Sequence, residues 1–141
     1  MRIETEWNES QMATGFPEID GQHKEWISRF NKFTAAVTSQ KEEEAWTDAL
    51  MFFIHYTETH FRFEESIMKI YRCSTEAMNK AEHEKFQARI QEITYMTWPL
   101  GATMDDVINL QKELANWLRH HICTIDVQLR DVAPGRGSEK S

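Results

Sequence analysis

No apolar run in this chain of 141 residues approaches the ~20 residues that a bilayer-spanning helix needs. A membrane-embedded protein is thereby excluded. The start of the chain, Met1-Arg2-Ile3-Glu4, is followed by polar residues rather than an apolar signal region, so export is not indicated and a cytoplasmic location is expected. Cysteine is scarce as well. Cys73 and Cys123 lie far apart and form no C-x-x-C, which argues against a disulfide framework and against a cysteine zinc site. Both are expected to be reduced and structural. Basic residues are outnumbered: 16 Lys and Arg stand against 23 Asp and Glu, a net charge of −7. That balance repels a phosphate backbone and excludes nucleic acid as a partner. What is present is ordinary for a soluble globular protein, 40% hydrophobic and 28% charged residues, in a length that suits one domain with one core.

The apolar residues recur at helical rather than strand spacing. Residues 1–16 carry Trp7 in a polar setting and show no sustained period, which predicts an extended arm laid against the body. His23, Trp26, Ile27, Phe30, Phe33 and Val37 then share one stripe of a helix over about 18–38. A second stripe runs through Trp46, Ala49, Leu50, Phe53, Tyr56, His60, Phe63, Glu64, Ile67 and Met68 and predicts a helix over about 42–70, its acidic start Glu42-Glu43-Glu44 favouring the helix dipole. Cys73-Ser74-Thr75 interrupts. A third helix over about 75–95 carries Asn79, His83, Phe86, Ile90 and Ile93, and Trp98-Pro99-Leu100-Gly101 stops it. Thr103-Met104-Asp105-Asp106 resembles a capping box and opens a fourth helix over about 103–131, through Val107, Leu110, Leu114, Trp117, Leu118, His121 and Ile125. Residues 132–141, small and polar with Pro and Gly, read as a flexible tail or the start of a linker. Four helices with short connections predict an all-α fold, an antiparallel up-down-up-down four-helix bundle with an extended N-terminal arm. The reading gives one domain over 1–131.

Four of the six histidines, His23, His60, His83 and His121, fall on the inward stripes, one per helix. A lone histidine on an apolar stripe is more often a satisfied core residue than a ligand. Four on four helices, with the inward Glu64 one turn from His60, favour a metal, because buried imidazoles and carboxylates must find partners. Asp126 lies five residues after His121, so on a regular helix the two side chains would diverge by ~140°. A local π-turn near 121–126 is the expected remedy. His55 and His120 lie off the stripes.

The pattern Gly15-x-x-x-Ile19-Asp20-Gly21-Gln22-His23-Lys24, then Tyr56-x-x-x-His60-Phe61-x-x-Glu64-Glu65-x-x-Met68, then His83-x-x-Phe86, then Trp117-x-x-x-His121-Ile122-x-x-x-Asp126 resembles the hemerythrins, bacterial hemerythrin-like domains in particular, over about residues 7–129. The resemblance implies a non-haem di-iron centre that binds dioxygen reversibly. His23 and His60 would bind one iron and His83 and His121 the other. Glu64 and Asp126 would bridge them, together with an oxo or hydroxo group. The ligand types suit iron on chemical grounds, though manganese or zinc could use them too. The family's further histidine, four residues before the position of His83, is here Asn79.

A carboxamide is a weaker ligand than imidazole, and three consequences are open: a loosely held iron, faster autoxidation, or replacement by Glu76 or Glu82, each about one helical step from Asn79. An incomplete ligand set suits a sensor of dioxygen or redox state better than a carrier. Such a sensor would signal through helix four, with a C-terminal effector domain of the same native chain as a candidate partner. The alternatives are dioxygen storage or transfer, a peroxide-reacting di-iron enzyme, which lacks an evident acid–base residue, and a metal-free structural bundle. The domain is expected to be a binding module rather than an enzyme.

Overall fold

The computed structural model describes residues 6–38, 42–97 and 103–134. They form a short helix, Glu9–Met12 (α1), four long ones, Pro17–Thr38 (α2), Glu42–Ile70 (α3), Glu76–Thr97 (α4) and Met104–Thr124 (α5), and a 3-10 helix over Asp126–Asp131. No strand occurs among the described residues. The fold is the all-α helical bundle that the stripes predict. Consecutive helices are joined by connections of a few residues, which forces neighbours to run antiparallel. α3 packs against both α2 and α4. Among the described residues, no helix is long and apolar enough to cross a membrane.

Local chemistry sets the helix ends. Pro17 opens α2, where its fixed φ is preorganised and its missing N–H is not needed. α3 ends in a Schellman motif: Cys73 N–H reaches Met68 O at 2.8 Å and Arg72 N–H reaches Lys69 O at 3.3 Å. Arg72 takes the left-handed position with φ 53°, a place that glycine fills at lower cost. The expected capping box opens α5. Thr103 Oγ1 accepts from Asp106 N–H at 3.1 Å, and Asp106 Oδ2 accepts from Thr103 N–H at 2.9 Å.

Two apolar clusters divide the interior. The larger holds Trp26, Phe30, Phe53, Phe61, Phe86, Leu110, Leu114 and Ile122. The smaller, at one end of the bundle, holds Ile19, Met68, Cys73, Ile125 and Leu129. On α2 and α3 a polar residue stands between them, His23 and Glu64; on α5 the boundary lies just past His121, between Ile122 and Ile125. A polar layer is therefore sealed between two greasy ones. Arg89 ties α4 to α5 on the outside, its Nη2 2.6 Å and its Nε 2.9 Å from the two carboxylate oxygens of Glu113.

The structure differs from expectation at both ends. The arm is not wholly extended, since Asn8 caps a helical turn over Glu9–Met12 and Met12 is buried. The fourth helix does not run to Asp131. It stops at Thr124, and the 3-10 helix follows. The two ends close on each other: Arg130 donates to Ala13 O and to Ser10 O. Gly15 has φ +85°, and a Cβ there would lie 2.7 Å from the Cβ of Ala133. Both the backbone angle and the close approach demand glycine. Of the expected tail, Val132 is half-buried and Ala133 buried, while 135–141 lie outside the described residues. So does the Trp98–Gly101 stop.

Candidate metal centre

The polar layer gathers six side chains from all four long helices and the 3-10 helix. His23, His60, Glu64, His83, His121 and Asp126 are each at most 4% exposed. His23 and His83 lie near the starts of α2 and α4, and His60 and His121 near the ends of α3 and α5. In antiparallel neighbours, those positions meet at one level of the bundle.

The carboxylates share themselves between two halves. Glu64 Oε2 lies 3.1 Å from His23 Nε2 and 3.4 Å from His60 Nε2, while Glu64 Oε1 lies 3.2 Å from His83 Nε2 and 3.9 Å from His121 Nε2. Asp126 repeats the division, with Oδ2 3.2 Å from His23 Nε2 and Oδ1 3.0 Å from His121 Nε2. His83 Nε2 and His121 Nε2 approach to 3.0 Å. Ligand atoms of Glu64, His83, His121 and Asp126 converge within 4.8 Å of one another, as do those of His23, His60 and Glu64. Glu64 Oε1 and both Asp126 oxygens are buried with no hydrogen-bond partner. Buried carboxylate oxygens without donors, aimed among imidazole nitrogens, fit a pair of cations.

Electrostatics point the same way. Burial opposes charge on His23, but the Asp126 and Glu64 carboxylates outweigh it and raise its pKa to about 9. His121 is raised to about 10 by the same two carboxylates against the same opposition. Burial lowers His60, with Glu64 opposing. Glu64 is held well below the ordinary carboxylate range; burial opposes this, and His60, His121 and His23 overcome it. The cluster demands positive charge at its centre, from protons or from metal.

Aromatic rings fix the imidazole planes. Phe61 stacks on His83 with centroids 3.7 Å apart and planes 1° from parallel, Trp117 stacks on His121 at 4.4 Å and 9°, and Tyr56 stacks on His60 at 5.0 Å and 26°. The outer nitrogens of His60, His83 and His121 are also engaged. His60 Nδ1 meets Gln22 Oε1, and Tyr56 donates to the Gln22 carbonyl. His83 Nδ1 lies 2.9 Å from Glu65 Oε2, and His121 Nδ1 lies 3.4 Å from Glu82 Oε1.

Three expectations change here. The route to Asp126 is not a π-turn: Ile125 N–H makes an ordinary bond to His121 O at 2.9 Å, and α5 then ends. Beyond Thr124 the regular winding no longer applies, so the ~140° divergence does not arise. Thr75 Oγ1, donating to Ile125 O at 3.3 Å, ties down this junction. Glu82, expected as a possible substitute ligand, faces the outer nitrogen of His121 rather than the interior of the cluster. Glu76 sits in the first turn of α4 and is not among the converging groups of the described residues. Asn79 is fully buried, four residues before His83 on α4, and neither its Oδ1 nor its Nδ2 has a partner. His55 and His120 are exposed.

Sequence reading missed the supports Phe61, Gln22 and Glu65, all of which lie within the quoted motifs. The signal for Phe61 was its place directly after His60, off the main stripe.

The family model of the hemerythrin HHE cation binding domain matches residues 14–130. A bacteriohemerythrin of Pseudomonas aeruginosa is 29% identical over 131 residues, covering 93% of this chain and 83% of its own length. One of Stenotrophomonas maltophilia is 30% identical over 114 residues, 81% of this chain and 72% of its own. One of Aquifex aeolicus is 29% identical over 110 residues, with shares of 77% and 82%. A crystal structure of a leucine-to-phenylalanine mutant superposes with TM-score 0.75 over 94% of this chain and 98% of that one. At 21% identity it speaks for the fold alone.

Proposed function

This chain belongs to the hemerythrin HHE cation-binding domain family, and on that premise we propose that its buried cluster holds two iron ions, binds dioxygen, and serves to sense dioxygen or redox state. His23 and His60 would hold one iron and His83 and His121 the other. Glu64 and Asp126 would span both. The observation that carries this reading is the division of each carboxylate between the two pairs of imidazoles. Held there, a metal pair would supply the redox chemistry that reversible dioxygen binding takes.

The chain's own residues supply the rest. Glu64 and Asp126 hold the halves at a fixed separation. The stacked rings of Phe61, Trp117 and Tyr56 keep the imidazoles aimed. The apolar layers above and below exclude bulk water. The family match supports reading the domain as a binding module, working in the cytoplasm.

Sensing is favoured by Asn79, which leaves the His83 half short of an imidazole, and by Asp126, which joins the cluster to the 3-10 helix and the chain's end. A change at the centre would then move the junction at Ile125. A second reading, dioxygen storage or transfer, draws support from the match over 83% of the Pseudomonas relative, a length that leaves that relative no room for a separate effector domain.

Metal analysis of freshly purified protein, with absorption spectra before and after exposure to air, tests the proposal. Two irons per chain and a new band in air are expected. No iron, and no rise in thermal stability on adding ferrous iron, would defeat it. An oxygenated band that survives many hours would favour storage over sensing.

A further inference from the structure

The outer nitrogens of the four histidines are not treated alike. Glu65 Oε2 lies 2.9 Å from His83 Nδ1, and Glu82 Oε1 lies 3.4 Å from His121 Nδ1. On the other side, His60 Nδ1 meets only the neutral amide oxygen of Gln22, and His23 Nδ1 is buried with no partner. The imbalance follows the two halves of the centre. The half in which Asn79 stands one turn before His83 is the half backed by two carboxylates.

An ionised carboxylate cannot donate, so each of these imidazoles must present its Nδ1–H outward. Once the ring gives up its inner proton to bind a cation, that choice leaves the Nε2 lone pair facing inward and makes it a stronger donor. Glu65 and Glu82 side chains are each 28% exposed, so they carry charge without the desolvation cost of full burial. They come from different helices, α3 and α4, and converge on the same pair of ligands.

We infer that Glu65 and Glu82 are positioning residues that compensate for Asn79. Through His83 and His121 they retain the ion on that side, where Asn79 offers no imidazole, while the ion on the His23 and His60 side does not depend on them. The inference rests on the di-iron reading above.

The test uses the full chain loaded anaerobically with ferrous iron and equilibrated against increasing concentrations of a ferrous chelator, with iron counted per chain. Glu65→Gln and Glu82→Gln keep an acceptor oxygen and remove the charge. In the double variant, one of the two irons should leave at ~10–100-fold lower chelator concentration, the usual effect of losing such an outer partner. The other should leave as in the wild type, producing a plateau at one iron per chain. Adding Asn79→His to the double variant should restore the lost iron. Circular dichroism checks that each variant is folded. Release curves that coincide with wild type, a joint loss of both irons, or a loss that Asn79→His does not repair would each overturn the inference while leaving the di-iron reading intact. A wild-type chain that takes up no iron would overturn both.

Discussion

Asn79→Leu should stabilise the metal-free chain. Asn79 is 0% exposed, and both polar atoms of its amide are buried without a partner. A buried polar group left unpaired costs about 1–3 kcal/mol. Leucine has the same branched outline but a larger volume, so the exchange leaves no cavity and overpacking strain costs about 1–3 kcal/mol. The added apolar burial offsets that strain at ~0.8 kcal/mol per methylene. The net gain is about 1–3 kcal/mol. For a chain of this length, 1 kcal/mol moves the thermal midpoint by ~3 °C, so a rise of ~3–9 °C is expected. Thermal unfolding after exhaustive chelation, followed by circular dichroism, measures it. The iron-loaded protein should gain no more than the metal-free one, because leucine offers iron nothing. A fall in the metal-free midpoint would refute the reasoning, since it would mean that the amide is satisfied after all.

Two further outcomes follow from other parts of the fold. Gly15→Ala should destabilise by about 2–4 kcal/mol, from a non-glycine residue held at φ +85° and a methyl 2.7 Å from Ala133 Cβ; denaturant unfolding at constant m checks it, and a change under ~0.5 kcal/mol would show that the chain ends are not clamped. The metal-free chain should also show a stability maximum near neutral pH: His23 and His121 are raised to about 9 and about 10. Their contribution is complete below the ordinary value of 6.5 and is lost as pH rises through 9 to 10. His60, lowered by burial, acts with the opposite sign, and its contribution falls away below pH 6.5. Iron binding replaces the protons and should remove the alkaline decline, which a midpoint-against-pH series with and without iron will show.

Much of the bundle could be read from periodicity, because its long helices bury one stripe each and the stripes persist for five or more turns. His23, His60, Glu64, His83 and His121 stood out because polar residues on apolar stripes need partners. Asp126 was legible only through its motif spacing, and the backbone that delivers it was not. Where α5 ends depends on Ile125 and Leu129 burying themselves in the end cluster and on Thr75 reaching Ile125 O, contacts that no local pattern encodes. Phe61 was passed over because Phe63, two residues on, fitted the α3 stripe, yet Phe61 is the ring that lies flat on His83. Glu65 and Glu82 escaped for the reason that α3 and α4 must first be packed before either carboxylate has an imidazole to face. Glu82, read as a possible substitute ligand because it lies about one helical step from Asn79, faces instead a histidine on another helix.

The clamp between Arg130 and the carbonyls of Ser10 and Ala13 has a bearing on the order of assembly. It joins positions 117 and 120 residues apart, whereas the helix hairpins close loops of a few residues. Long closures cost more chain entropy, and form late. A chain whose hairpins have formed thus has five of its six cluster residues on finished helices, and a bundle end still open to solvent. Asp126 and Arg130 share the 3-10 helix, so the clamp on Ser10 and Ala13 also bears on the segment that carries the sixth cluster residue: a substitution at Ser10 or Ala13, remote from the cluster in sequence, acts on Asp126 through Arg130.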